Sequence, residues 1–490
     1  MQSKRDQMQA HMFLMGRLTS SMLRADPDAP ESPQGRTNRG VAISVLIAVV
    51  VSAAALVIGL IAPGKKDSWQ SSGGMVVDRD TGSRYLYVEG RLRPVRNYTS
   101  ARLLAGADLT ATTVGTSSLH GVPRGAPVGI SGAPDTVPKA ADLSTGPWQV
   151  CSGGASASAG GNAGTMLAVG SAASGTGLGE GEALLVSAPD SSRYLVWRGS
   201  RLLLDRQGGA LEALGYESVT PVPVTAAFLD ALPAGPDLAP PDVPGRGEPG
   251  PSLGGRRTTV GQVFKVASPG AGTRYYLLRR DGLGLLTKTG AALALGDPRI
   301  RNAVGPAQAV DLGAEALAGQ LVPRGEPQVS ADLPSSPPRA VDLGQGMTVC
   351  VRVQPGSQST QVSVSLVAKP ALGPPAQAPL EGLTPACLPV DRVIVPPGGG
   401  ALVQALSADG GDVGGTAYLV ADSGMKYRVP SAEAMTALGY DSVSPVKLPS
   451  LLLSMLPTGP DLSRVAAARG KAVTTAQRCA PLPAQEPGDG

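Results

Sequence analysis

Val41 to Ala62 reads VAISVLIAVVVSAAALVIGLIA, 22 positions without a charge. As a helix rising 1.5 Å per residue this span is about 33 Å long, enough to cross a hydrocarbon core of about 30 Å. Forty residues precede it. Its apolar run exceeds the roughly 7–15 residues of a signal peptide core, and the exit Ile61-Ala62-Pro63-Gly64-Lys65-Lys66 lacks a small-residue cleavage site. The pattern predicts an uncleaved single-pass anchor over 41–62. Before it, Met8, Met12, Met15, Leu18 and Met22 recur at steps of three or four, one apolar stripe on a helix. Asp26-Pro27 should stop that helix, because the residue before proline is pushed out of the helical region.

After the span the pattern changes to short strands and short helices, and it repeats. Residues 194–238 and 418–462 align without a gap. Tyr194-Leu-Val matches Tyr418-Leu-Val, Ala213-Leu-Gly215-Tyr216 matches Ala437-Leu-Gly439-Tyr440, and Leu232-Pro-x-Gly-Pro236-Asp237-Leu matches Leu456-Pro-x-Gly-Pro460-Asp461-Leu. Each copy reads strand, turn, strand, helix, helix. The turns fall at Trp197–Ser200 and Ala421–Gly424. Ser431 is placed as a helix N-cap, and Gly215 and Gly439 stand where a helix ends. Weaker copies begin at Arg84-Tyr-Leu-Tyr-Val and Arg274-Tyr-Tyr-Leu-Leu. Each runs into a second shared block, in which Val-Pro-Arg-Gly lies 26 and 25 residues before Cys151 and Cys350. Two similar halves follow, each with a weak unit, a strand ending in cysteine and a strong unit, and such halves should pack on each other.

Cysteine usage bears on the compartment. All four, Cys151, Cys350, Cys387 and Cys479, follow the span, and none forms a CxxC pair. An even number on one side suits an oxidising compartment, with residues 1–40 cytoplasmic and 63–490 outside. Basic residues flank the span almost equally, with Arg24, Arg36 and Arg39 before it and Lys65, Lys66 and Arg79 after it, so the positive-inside rule adds little. Four cysteines permit three pairings. The symmetry of the halves favours Cys151 with Cys350, leaving Cys387 with Cys479.

Composition narrows the function. Charged residues are 16% and aromatics 3%, while Gly (65) and Pro (45) are abundant, so the core must be Val, Leu and Ala and connectors should be long. Residues 152–181, 236–256 and 370–400 read as flexible or extended connectors. Net charge is +4 without a basic cluster, which argues against nucleic acid. Only His11 and His120 are available for histidine chemistry. Gly59 to Lys66 nearly spells a phosphate-binding loop but lacks the Ser/Thr for magnesium and sits at the membrane exit. Gly175-Thr-Gly177-Leu-Gly179 lacks the spacing of a dinucleotide loop. Asp237 and Asp461 read as turn-forming carboxylates bonded to nearby amides. No catalytic residue, metal or cofactor is expected.

The opening KRDQMQAHMFLMGRL, the single anchor after Arg39-Gly40, the ALGY and LPxGPDL repeats and the placement of Cys151 and Cys350 together resemble EccB, a core membrane component of actinobacterial type VII (ESX) secretion systems. The resemblance implies an α+β, single-pass protein. Its elongated extracytoplasmic region would have a central β-rich domain and four small strand–helix repeat domains in two pseudo-symmetric halves, with a disulfide in the centre. The expected boundaries are 1–40 for the cytoplasmic segment, 41–62 for the span, 63–140 for repeat 1, 141–186 for the first segment of the central domain with a Gly-rich insert, 187–240 for repeat 2, 241–256 for a linker, 257–340 for repeat 3, 341–386 for the second segment of the central domain, and 387–490 for repeat 4 with a tail. It implies as partners an EccC-type FtsK/SpoIIIE motor ATPase, EccD, EccE and a mycosin protease. Two copies would pack together within a larger oligomer, and Arg5, Met8, Met12, Met15 and Arg17 would dock on a cytoplasmic partner. Family members are labelled ATPases, yet no Walker A motif stands in this chain. Two other readings are a cell-wall-binding membrane anchor and a nucleotide hydrolase.

Overall fold

A computed structural model describes residues 4–25, 33–61, 68–70, 74–155, 163–268, 270, 272–305, 308–322, 333–356, 360–376, 384–407, 411–476 and 479. A first helix, Lys4–Arg24, is followed by a second, Pro33–Ile61. The second starts eight residues before the apolar run, with proline in its first turn, where a missing N–H costs nothing. Its stretch Thr37–Ile58 is apolar and long enough to cross a membrane, and none of the described residues covers it. Asp26-Pro27, the expected stop of the first helix, and Ala62 to Lys66 of the near-phosphate loop lie outside the described residues.

Four sheets share one strand order. In each, three strands form an antiparallel meander, the chain passes through a helix, and a fourth strand returns parallel to the first. We call these units 1 to 4. Unit 2 shows the plan: Glu182–Ser187, Arg193–Trp197 and Ser200–Leu203, helix Ala210–Ala213, then Val222–Pro223 beside the first strand. The sequence pattern of strand, turn, strand, helix, helix therefore holds but omits two strands, the first and the short parallel one. The boundary at 186/187 is corrected as well, because Glu182–Ser187 pairs with Arg193–Trp197 and belongs to unit 2. The expected N-cap is present: Ser431 accepts from the Ala434 amide. Gly215 and Gly439 both have φ near +80°, at +79° and +76°, a conformation other residues adopt at a cost.

A fifth, six-stranded sheet joins the halves. Trp148–Ala155 pairs antiparallel with Met347–Gln354, and Cys151 stands directly opposite Cys350. The two form a disulfide, as do Cys387 and Cys479. The cysteines lie mid-strand, not at strand ends as the spacing suggests, since each strand runs four residues beyond its cysteine. One face of this sheet, with Trp148, Val150, Val349, Val351 and Val353, shares a core with Phe228 of unit 2 and Leu452 of unit 4. The opposite face carries both disulfide-bonded cysteines with Ala168, Val367 and Ile394.

The connectors are not loose. Residues 163–168 of the Gly-rich segment form a strand against Trp148–Ala155, and Thr176–Gly177 adds a short edge strand beside Gln361–Ala368. Arg392–Ile394, expected within repeat 4, runs parallel to Ala163–Ala168 and belongs to the central sheet. The Pro/Gly-rich stretch 236–256 drops Leu238, Val243 and Leu253 into three different cores. Small residues suffice for these strands because the sheet supplies pairing and the neighbours supply bulk. Residues 156–162 and 377–383 of these connectors lie outside the described residues.

The Cys151–Cys350 bridge spans 199 residues. In the chain-entropy model a loop of that size contributes on the order of 5 kcal/mol. Replacing both cysteines by alanine should lower the thermal stability of the whole region after the span. Replacing Cys387 and Cys479 should leave the main unfolding transition and expose only the flanking segments, as limited proteolysis would show.

Candidate assembly site

The units dock crosswise. Unit 1 packs on unit 4: Leu103 and Ile130 share a core with Leu402, Tyr427, Tyr440 and Leu462. Unit 2 packs on unit 3: Leu293 joins Leu185, Trp197 and Tyr216. At each seam the tyrosine of the ALGY block is buried and donates to a proline carbonyl of the other half. Tyr216 donates to Pro338 O at 2.7 Å, and Tyr440 to Pro138 O at 2.6 Å. Burial pushes the Tyr216 hydroxyl up to about 12 and raises that of Tyr440 too, so both stay protonated as donors. The residues after each proline extend the seam. Arg339–Ala340 runs parallel to Glu182 and Ala183, and Leu143 bridges Gly400. These seams leave one further trace in the sequence, the likeness of Pro138-Lys-Ala-Ala-Asp-Leu143 to Pro338-Arg-Ala-Val-Asp-Leu343.

The LPxG blocks clamp each unit's third strand. In unit 2, Arg201 N–H donates to Pro233 O and Gly235 N–H donates to Arg201 O. In unit 4, Lys426 makes the same pair of bonds with Pro457 and Gly459. In unit 1, Pro123 and Gly125 of the Val-Pro-Arg-Gly block do so with Leu92. That block is thus the unit 1 form of LPxG. Its sequence match at 322–325 is not the unit 3 counterpart, because Gln320 and Val322 make those bonds to Leu283. Glycine is required at 235 and 459 because a Cβ would lie 2.4 Å from Leu202 Cδ2 and 2.3 Å from Tyr427 Cε1.

The remaining signature residues divide by role. Tyr194 and Tyr418 are half-buried against the central core. Pro460 is buried at the seam beside Gly132, whereas Pro236 is half-buried. The two aspartates differ from the expectation of matching turn carboxylates. Asp461 is buried and accepts from Thr475 N–H at 3.1 Å and from Arg428 Nη1 at 3.1 Å, tying down the segment that follows helix Arg464–Arg469. Asp237 is exposed, because the chain after it leaves for unit 3 instead of folding back. On the first helix Arg5, Met8, Met12, Met15 and Arg17 are all exposed, and so are Phe13 and Leu14, which lie off the stripe.

Chemistry is sparse at these positions. Among the described residues no group of three or more His, Cys, Asp or Glu could hold a metal. His11 and His120 are exposed. Asp78 and Asp80 accept from Thr116, and Asp78 also from Thr81, which holds the Asp78 carboxylate below its usual range. Sequence pattern gives no sign of one buried cation. Lys426, at the third-strand position that Arg201 fills in unit 2, is 3% exposed and donates through Nζ to Leu453 O. Burial pulls it down to about 8.

A family model described as "Type VII secretion system ESX-1, transport TM domain B" matches residues 1–475. The chain is 30% identical to the "ESX-3 secretion system ATPase EccB3" of Mycolicibacterium smegmatis over 480 residues, covering 94% of this chain and 89% of that protein. Its fold is similar to a chain in the periplasmic assembly from the ESX-5 inner membrane complex, with TM-score 0.66 and 25% identity over 83% of this chain and 97% of that one. It is also similar to the EccB3 dimer from the ESX-3 core complex, with TM-score 0.63 and 28% identity over 81% and 99%.

Tyr216→Phe or Tyr440→Phe should each cost about 1–3 kcal/mol, since a proline carbonyl is left unpaired in a buried seam. Hydrogen exchange should then quicken at that seam first. Lys426→Met should remove a pH dependence. The folded lysine binds its proton more weakly than the ordinary value of 10.5, so its burial penalty is full below about pH 8 and fades as pH rises toward 10.5. Wild-type stability relative to the Met variant should therefore climb between pH 8 and 10.5 and stay flat below pH 7.

Proposed function

The chain belongs to the EccB family, core components of ESX inner membrane complexes, and from that premise we propose that it is a structural scaffold whose rigid body lies outside the cytoplasmic membrane. The observation that carries this reading is the construction itself. One disulfide-bridged sheet shared by both halves holds two cross-docked lobes, all suspended from a single apolar helix. Such a body, cross-docked through buried seams, suits a role in holding position. Two disulfides beyond the span support an oxidising location for the bulk and a cytoplasmic first helix.

In this arrangement Met8, Met12 and Met15, with Arg5 and Arg17 beside them, dock on a cytoplasmic partner. Exposed methionines form a soft, adaptable surface. The partner is an EccC-type motor ATPase, with EccD, EccE and a mycosin protease in the same assembly. A second copy packs beside the first on the outer side, as the dimer of the ESX-3 relative supports. Relatives carry the name ATPase. The scaffold reading assigns the energy source to the motor and expects no ATP turnover by the purified chain.

Tagging the chain in its native host, solubilising in mild detergent and sizing on native gels with mass spectrometry tests this reading. A megadalton assembly containing an FtsK-type ATPase is expected. Replacing Met8, Met12 and Met15 by serine should release that ATPase while membrane insertion persists. A lone protein or small homodimer in every detergent would overturn the reading.

A further inference from the structure

A cavity of about 340 Å³ opens where the unit 2 hairpin meets the central sheet. Two arginines, Arg198 and Arg352, line it together with the hydroxyls of Ser174, Ser363 and Ser365, and among the described lining residues there is no carboxylate. Arg352 lies on the central strand Met347–Gln354, between Gln149 and Ser363 of its neighbours, and is half-buried. Among the described residues no carboxylate forms an ion pair with it. A cation held within a sheet without a counter-ion draws an anion to itself.

Arg198 is the second half of the pair. It occupies the two-residue turn of its hairpin with φ +47°, a left-handed conformation that disfavours a long side chain. Its guanidinium carbon lies 4.8 Å from the ring centroid of Trp197, a cation–π contact that holds the group over the indole. The corresponding turn position in unit 3 holds Arg280, and there Glu248 binds the guanidinium through two hydrogen bonds. Arg198 has only Glu180 at 3.7 Å, a carboxylate 91% exposed that does not line the cavity. The same turn arginine is thus held by two hydrogen bonds in unit 3 and by a single, longer ion pair to an exposed carboxylate in unit 2, where it lines the cavity with Arg352 and the serines.

We infer that this cavity binds a single anionic group, a phosphate or a carboxylate, between Arg198 and Arg352. The guanidinium forks take its oxygens in pairs, and the serine hydroxyls donate to what remains. Gly199 lets the turn approach the strand Gln361–Ala368 of the central sheet, where a Cβ would lie 2.5 Å from Val362 O. The inference rests on these side chains and not on the scaffold reading or on the membrane orientation.

Calorimetric titration of the full chain in detergent, with sodium phosphate and sodium glucuronate against chloride at matched ionic strength, tests it. Saturable binding of either anion is expected, with phosphate alone marking a phosphoryl ligand and glucuronate alone a sugar carboxylate. Arg352→Gln should weaken it at least tenfold. Arg198→Asn, which suits the left-handed turn and keeps the fold, should do the same, and Arg280→Asn should leave it unchanged. Absence of saturable binding, or equal binding by wild type and both cavity variants, would overturn the inference.

Discussion

The antiparallel pairing of Trp148–Ala155 with Met347–Gln354 is the constraint on which the rest depends. It brings together strands whose cysteines are 199 residues apart, one from each half, and the disulfide between them makes the register permanent. Because side chains alternate across a strand, fixing Cys151 opposite Cys350 also fixes which face presents Trp148, Val150, Val349 and Val351. Units 2 and 4 settle on that face through equivalent helices, with Phe228 and Leu452 at matching positions.

Units 1 and 3 then have little choice. Each is connected to the central sheet by a segment that begins at a proline, and that segment is captured by the tyrosine of the opposite half. The result is two lobes, each made of one unit from each half. A lobe seam combines apolar packing with one deeply buried hydrogen bond, and that combination gives orientation as well as affinity. Where the halves diverge, the divergence has a local cause. Asp461 is buried because a following segment folds back on it, and where Arg201 of unit 2 reaches the carboxylate of Asp230, Lys426 turns inward and donates to a helix carbonyl.

Much of this architecture is legible in the residues. The 22-residue apolar run, the matched YLV, ALGY and LPxGPDL blocks and the even cysteine count lead directly to the anchor, the repeated units and the two bridges. Three features are not. The parallel fourth strands are as short as Val222–Pro223 and Val310–Asp311, too brief for any periodicity to show. The strand Ala163–Ala168 reads AGTMLA within a glycine-rich stretch, and such composition hides a strand whose stability comes from its neighbours. The seams depend on a tyrosine meeting a backbone carbonyl, and a carbonyl leaves no mark in sequence beyond the weak likeness of 138–143 to 338–343.

The crosswise docking has a consequence for how the chain reaches its native state. Tyr440 seeks an acceptor 302 residues upstream, and Leu103 waits for a core supplied by residues beyond 400. As the polypeptide emerges amino end first, unit 1 must therefore persist with an uncovered apolar face until the last unit arrives. Contacts of such long sequence separation carry a large loop-closure cost and slow folding. Maturation should be limited by the arrival of the carboxyl-terminal unit, and a truncation before it would leave a sticky, half-assembled intermediate and not a smaller working version of the same body.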